Sequence, residues 1–334
     1  MSIIIFSAIL MPSYWSATPY TDTLTLIFPA ITLYIFLCIQ AKTRLLDKSV
    51  LAALLGLIIV IGYQIKPTTI ITPIAIMIYI ALRFIFSKRL SSFSIKNITP
   101  LLVSILSFGA FSVCILFLIN TSGVLTFDFI NSSEQKRPIS HFIMMGLKES
   151  YRDYGQPLYG AYTYNDDLLT TVDKRPGMSN KIANKEIINR LKAYGVLGYL
   201  EYLNNKAIWI FSDGTFFSYG EGQQTNYLRT KPINKFIQNT LDKNGAYYKY
   251  SSNMLHSIWL AVLILICLSV LLIQKNVLSR YTYIYLSIVG IILFVLIFEG
   301  RSRYLFNYIP IFITAALCPL LFFNNKLNSE IKDT

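Results

Sequence analysis

Seven apolar stretches dominate this chain and leave few folds open to it. Leu24–Gln40, Ser49–Ile65, Thr69–Phe86, Thr99–Asn120, Leu255–Ile273, Thr282–Phe298 and Tyr304–Phe323 each reach the roughly 17–25 residues that an α-helix needs to cross the hydrocarbon core of a bilayer. An eighth, Met1–Met11, is too short to span alone and counts provisionally as the first span. It lacks the basic n-region and small-residue cleavage site of a signal peptide; the plainer alternative is a chain missing its true beginning. The expected fold class is an α-helical polytopic membrane protein with about seven or eight transmembrane helices and a mainly α extracytoplasmic domain. Composition agrees: 54% of residues are hydrophobic and 14% charged, where an average soluble domain has about 25% charged.

The charges then set the topology. Lys42, Arg44 and Lys48 follow the span that ends at Gln40; Arg83 at the end of the span that reaches Phe86, and Lys88, Arg89 and Lys96 in the loop after it, carry charge with no acid; Lys275 and Arg280 separate two later spans. The positive-inside rule places these loops in the cytoplasm, together with the C-terminal tail. The expected location is the plasma membrane, with Pro12–Thr23, Lys66–Thr68, Thr121–Met254 and Glu299–Arg303 facing out. Residues 1–120 form an N-terminal transmembrane bundle, 121–254 an extracytoplasmic domain, 255–323 a C-terminal bundle and 324–334 a cytoplasmic tail. Segment 121–254 carries 16 of the 30 basic residues and 12 of the 17 acids, so it is close to balanced and long enough to fold. Within it, Ser179–Asn205 has helix-like apolar spacing, with Gly195 and Gly198 predicting a break and Gly177 and Asn180 suiting a boundary.

Net charge is +13, but the basic residues do not cluster as a nucleic-acid footprint would, so no nucleic-acid partner is expected. Cys38, Cys114, Cys267 and Cys318 all lie in apolar blocks, which excludes a disulfide framework or a metal-ligand spacing in the soluble region.

Several residues could carry chemistry. Phe298-Glu299-Gly300-Arg301-Ser302-Arg303-Tyr304 puts three charges in one turn at the end of a membrane hairpin, where ionisable groups are costly and usually mark a site. Two guanidiniums beside a carboxylate suit a phosphate at the membrane surface, because Arg offers bidentate hydrogen bonds that Lys cannot match. Glu299 would orient one of them; the plainer alternative is a snorkelling turn with a local ion pair. Lys66, alone in a second outer turn, could neutralise the same anion or meet lipid headgroups. His141 has no partner spacing and reads more readily as a hydrogen-bonded structural residue. Asp166, Asp167 and Asp213 could serve as a base or hold a divalent cation, although the sequence indicates no metal, and each is also a plain turn residue. Asp22, just before a span, could simply cap that helix.

Pro19–Thr23, Ile65–Ile74, His141–Leu147, Tyr164–Asp167, Asn204–Glu221 and Glu299–Pro310 occur in an order that resembles the C-type glycosyltransferases. The nearest likeness is to the dolichyl-phosphate-mannose-protein mannosyltransferase-like membrane proteins of Gram-positive bacteria. The resemblance covers most of the chain from Pro19 onward. It implies a polyprenyl-phosphate sugar donor, a cell-envelope acceptor, and a site at the outer membrane–water interface. Arg301, Arg303, Lys66 and Tyr304 would then meet the lipid phosphate, and Asp22, Asp166, Asp167 or Asp213 would activate the acceptor. No cofactor is implied. The family keeps its main catalytic Asp in a long first outer loop. Pro12–Thr23 is short, so that first hairpin is expected to be absent. The leading expectation is therefore a glycosyltransferase, whole or truncated. The alternatives are a non-catalytic accessory or scaffold protein of envelope polysaccharide assembly and, third, a lipid-sugar flippase.

Overall fold

The computed structural model describes residues 2–86 apart from 12, 17 and 19, parts of 99–114, and then 137–151, 157–171, 177–221, 232–272 and 275–319. Backbone N–H and C=O groups find no water in a bilayer core, so an apolar chain satisfies them within itself as helix. Among the described residues, Thr21–Ala41, Leu45–Ile65 and Tyr248–Leu271 are long and apolar enough to cross a membrane, and Pro67–Arg83 and Tyr281–Ile297 are shorter apolar helices. Met1–Met11 forms the helix Ser2–Leu10. The stretch predicted at Tyr304–Phe323 does not begin as an α-helix. It opens with a 3-10 helix, Ser302–Tyr308, and the α-helix covers 309–319. The end of Thr99–Asn120 after residue 114, with residues 100, 101, 104 and 112, and the basic loop around Lys88, Arg89 and Lys96 lie outside the described residues.

The chain divides into two compact units. The first comprises Met1–Ile115, Ser218–Ile291 and Leu305–Thr334. Its packing starts with the helices Ile27–Ala41 and Leu45–Ile65, which bury Ile35, Ile39, Ala52 and Leu55 against each other. Phe36, Tyr79 and Tyr283 meet edge-to-face with ring centroids 5.2–6.2 Å apart, a favoured aromatic geometry that joins three helices. Trp259 packs on Phe312 at 5.1 Å. Hydroxyls on these helices bond locally: Ser287 to the Tyr283 carbonyl and Thr314 to the Pro310 carbonyl.

The second unit comprises Leu116–Phe217 and Ile292–Tyr304. The soluble segment expected from composition ran to Met254; the compact unit holding most of it ends at Phe217 and takes in the turn after the helix Lys275–Ile297. Its spine is the helix Met178–Phe211, entered through Gly177 at φ +74° and broken at Gly195, where φ +60° and ψ −175° leave helical geometry. That backbone region is open essentially only to glycine, which is why the break falls there. The helices Ile139–Gly146 and Tyr164–Thr171 pack against this spine, beside a two-stranded antiparallel pair, Glu149–Tyr151 with Pro157–Tyr159.

Candidate functional site

The second unit builds the turn 298–304 into a fixed platform. The Glu299 N–H donates to the Phe142 carbonyl at 2.7 Å and the Gly300 N–H to the Gly160 carbonyl at 2.9 Å. Lys206, fully buried, donates to the carbonyls of Gly146, Leu296 and Phe298 at 2.8, 3.0 and 2.8 Å. Three acceptors match the three protons of an ammonium. The fit needs two glycines: a Cβ on Gly146 would stand 2.5 Å from the Ile297 carbonyl oxygen, and one on Gly160, at φ +68°, 2.5 Å from the Lys206 Nζ. Tyr202, one helical turn earlier, adds its own hydroxyl to the Gly146 carbonyl at 2.8 Å.

A second anchor comes from Asp213. Its Oδ1 accepts from the Thr215 N–H and hydroxyl at 2.9 and 2.6 Å, and its Oδ2 from the Phe217 N–H and the Ser302 hydroxyl, both at 2.6 Å. Asp213 thus closes its own Asp-Gly-Thr-Phe-Phe loop and ties it to the Arg-Ser-Arg turn. Within that loop Phe216 and Phe217 take φ values of +54° and +64°. Bulky residues rarely adopt such angles, and the cost is of order 1–3 kcal/mol each. The strained loop sets the Phe217 ring 5.0 Å from the Arg301 guanidinium carbon, a cation–π distance. Arg303 lies 5.5 Å from the Tyr304 ring centroid, and the Tyr304 hydroxyl donates to Glu299 Oε1 at 3.4 Å. Both guanidiniums are therefore shelved on aromatic faces, with Arg303 buried and Arg301 half-buried.

Asp166 and Asp167 belong to a separate network in the same unit. Asp166 is fully buried and accepts from Lys148 at 2.8 Å and from Arg190 at 2.8 and 2.9 Å. Arg190 also reaches Glu186 and the Met144 carbonyl. Burial alone would raise the Asp166 pKa; the hydrogen bonds and charges of Arg190 and Lys148 outweigh it and hold the carboxyl below its ordinary value. Asp167 takes a bidentate hydrogen bond from Arg137 at 2.9 and 3.0 Å. His141 Nδ1 lies 2.7 Å from the Thr170 hydroxyl; burial, then Arg137, lowers its pKa against the pull of Asp167 and Asp166, so it is neutral at pH 7. Among the described residues no three or more His, Cys, Asp or Glu gather as metal ligands would.

In the first unit, Asp22 and Lys66, singled out separately in the sequence, form one buried ion pair. The 3-10 turn Pro67–Ile70 carries Thr68 beside it. The Tyr308 hydroxyl donates to the Thr68 carbonyl at 2.8 Å and Asn307 to the Thr68 hydroxyl at 3.4 Å. Asp22 is not the N-cap of its helix: it sits in the first turn of Thr21–Leu24, whose N-cap position is Tyr20, with no side-chain cap hydrogen bond.

Sequence reasoning missed Lys206, Arg190, Ser302, Asn307 and Tyr308. Only Lys206 left a periodic trace, since Tyr202, Lys206 and Ile210 recur every four residues and all three are buried. Its protonation makes a prediction. Burial pushes Lys206 down to about 7 from 10.5, while Glu299 pulls it up. A folded pKa below the unfolded one means that the unfolded chain holds the extra proton between these values, so stability contributed here rises as pH climbs from about 7 towards 10.5. Thermal unfolding in detergent at a series of pH values will show that rise in the native chain and a flatter profile in Lys206→Met; parallel profiles would refute it.

Spanning helices packed on a buried aromatic core, with a separate helical unit, define a helical integral membrane protein. The chain belongs to the family described as conserved hypothetical integral membrane protein, which it matches over residues 1–320. No curated protein and no solved structure matches it.

Proposed function

We propose that the turn 298–304 binds the phosphate of a polyprenyl-linked sugar at the outer face of the plasma membrane, and that the chain acts as a C-type glycosyltransferase. The observation that carries this reading is the preorganisation of Arg301 and Arg303. Both stack on aromatic rings, and their turn is anchored by Lys206 and by Asp213 through Ser302. Donors fixed before the substrate arrives cost no reorganisation when charge develops on a leaving phosphate. An acceptor hydroxyl oxygen attacks the anomeric carbon with a lone pair as its proton passes to a carboxylate; the bond from that carbon to the phosphate oxygen breaks with its electron pair on the oxygen, and the polyprenyl phosphate departs as the anion that the arginines hold.

One observation favours a second reading, a non-catalytic accessory protein that holds the lipid phosphate without transfer. Asp166, Asp167 and Asp213 all spend their oxygens on structural partners, which suits them poorly as bases. Asp22, the remaining candidate, is ion-paired with Lys66.

Membranes supplied with a polyprenyl-phosphate sugar test both. Arg301→Ala with Arg303→Ala is expected to lower transfer about 100-fold or more, as loss of a preorganised donor does elsewhere. Arg→Lys at both positions keeps the charge but loses the bidentate fork, and is expected to recover little. Transfer unchanged by the alanine pair would reject the phosphate site. Lipid binding that depends on these arginines, with no transfer by the native chain, would establish the accessory reading.

A further inference from the structure

The helix Pro232–Leu241 buries none of its residues. Ile233, Phe236 and Ile237 are 62%, 57% and 41% exposed. At 100° per residue they share one face with Thr240 and Leu241, and Lys235 falls on the opposite side. A short helix with one apolar face left uncovered needs something to cover it, and the same unit indicates what.

The helix is fastened to the start of a spanning helix. The Tyr247 N–H donates to the Asn239 carbonyl at 2.9 Å, the Ser251 hydroxyl to the Thr240 carbonyl at 2.7 Å, and the Phe236 and Tyr247 rings lie 5.8 Å apart. Ser251 lies in the polar first turns of Tyr248–Leu272, whose apolar part opens at Leu255, is broken by His256 and Ser257, and runs on from Ile258. With the hydrocarbon edge between Leu255 and Ile258, four to seven residues at 1.5 Å each put Ser251 about 6–10 Å above it. The headgroup layer on each side of a bilayer is itself about 5–7 Å thick. The attachment therefore holds the short helix in the headgroup layer or at its outer boundary, within reach of side chains as long as Phe and Ile. Tyr247 and Tyr250 are exposed beside it, as are Lys235, Lys243 and Lys249. Aromatic rings with polar tips and basic side chains are the residues that settle at a membrane–water interface.

We propose that Pro232–Leu241 is an interfacial helix. It lies in the headgroup layer of the leaflet that Tyr248–Leu272 enters, with Ile233, Phe236 and Ile237 in the acyl boundary and its lysines among anionic headgroups. This inference is independent of the glycosyl-transfer reading.

The test uses the full chain with its four cysteines replaced by serine, reconstituted in mixed phosphatidylcholine and phosphatidylglycerol vesicles. Spin labels are placed singly at Ile233→Cys, Phe236→Cys, Ile237→Cys, Asn234→Cys, Lys235→Cys and Gln238→Cys. Collision rates with oxygen are expected to be about twofold or more higher at 233, 236 and 237 than at the other three sites, and those with a water-soluble nickel chelate correspondingly lower. Equal nickel access all round would put the face in water. Low access to both reagents would put it against protein, a second copy included. Either result overturns the proposal. Should the cysteine-free chain fail to fold, a photoactivatable lipid added to the native chain reads the same face by mass spectrometry. Adducts on Ile233, Phe236 or Ile237 support the interfacial helix, and their absence overturns it.

Discussion

Asp166→Ala will cost the second unit about 3–5 kcal/mol, the penalty for removing one partner of a buried ion pair. The carboxylate is fully buried and its two cations are not free to seek water: the side chains of Arg190 and Lys148 are 13% and 26% exposed. Arg190 is also committed to Glu186 and to the Met144 carbonyl, so loss of Asp166 leaves a guanidinium facing a pocket with too few acceptors. Thermal unfolding of the full chain in detergent measures the loss, and a drop of less than about 1 kcal/mol would mean that the cations behave as surface groups. The pH dependence has a definite sign. Asp166 titrates below its ordinary 3.8 when folded, so its contribution is whole above that value and fades as pH falls beneath it. Asp166→Asn should remove that acid-side loss, since the amide does not titrate.

Asp213→Ala is the second large effect, and it separates anchoring from chemistry. The substitution deletes four hydrogen bonds to a charged acceptor, each worth about 1.5–3 kcal/mol when taken alone though not additive. It also removes what holds Phe216 and Phe217 at positive φ, so relaxation of that strain returns part of the loss. A net cost of about 3 kcal/mol follows, concentrated in the 213–217 loop and the turn bearing Ser302. Asp213→Asn should not rescue it, because the amide nitrogen would meet donors on one side or the other. Hydrogen exchange reads this directly: the amides of Thr215 and Phe217 should lose protection in both variants. Exchange unchanged at those two amides would show that the loop holds itself. If Asp213 instead served only as a base, activity would fall with the amides still protected.

Helix existence was legible in the sequence because it depends on local quantities. Long apolar runs become helices wherever water is excluded, and a glycine in a helical pattern breaks it where no other residue can follow; hence the spans near Leu24–Gln40 and Ser49–Ile65 and the break at Gly195. The beginning of the last apolar stretch escaped the same logic, since hydropathy does not distinguish a 3-10 turn from an α-helix.

The sequence by itself therefore determined that this chain lives in a membrane, and it singled out Asp22, Lys66 and the Glu-Gly-Arg-Ser-Arg turn as unusual charges. Tertiary structure decided what those charges touch. Asp22 meets Lys66 across 44 residues, Asp213 meets Ser302 across 89, and Lys206 reaches carbonyls 60, 90 and 92 residues away. No local pattern encodes such pairings, because a buried charge takes whichever partner packing brings within hydrogen-bonding distance. A carboxylate with its lone pairs already filled differs from an available base only in those neighbours.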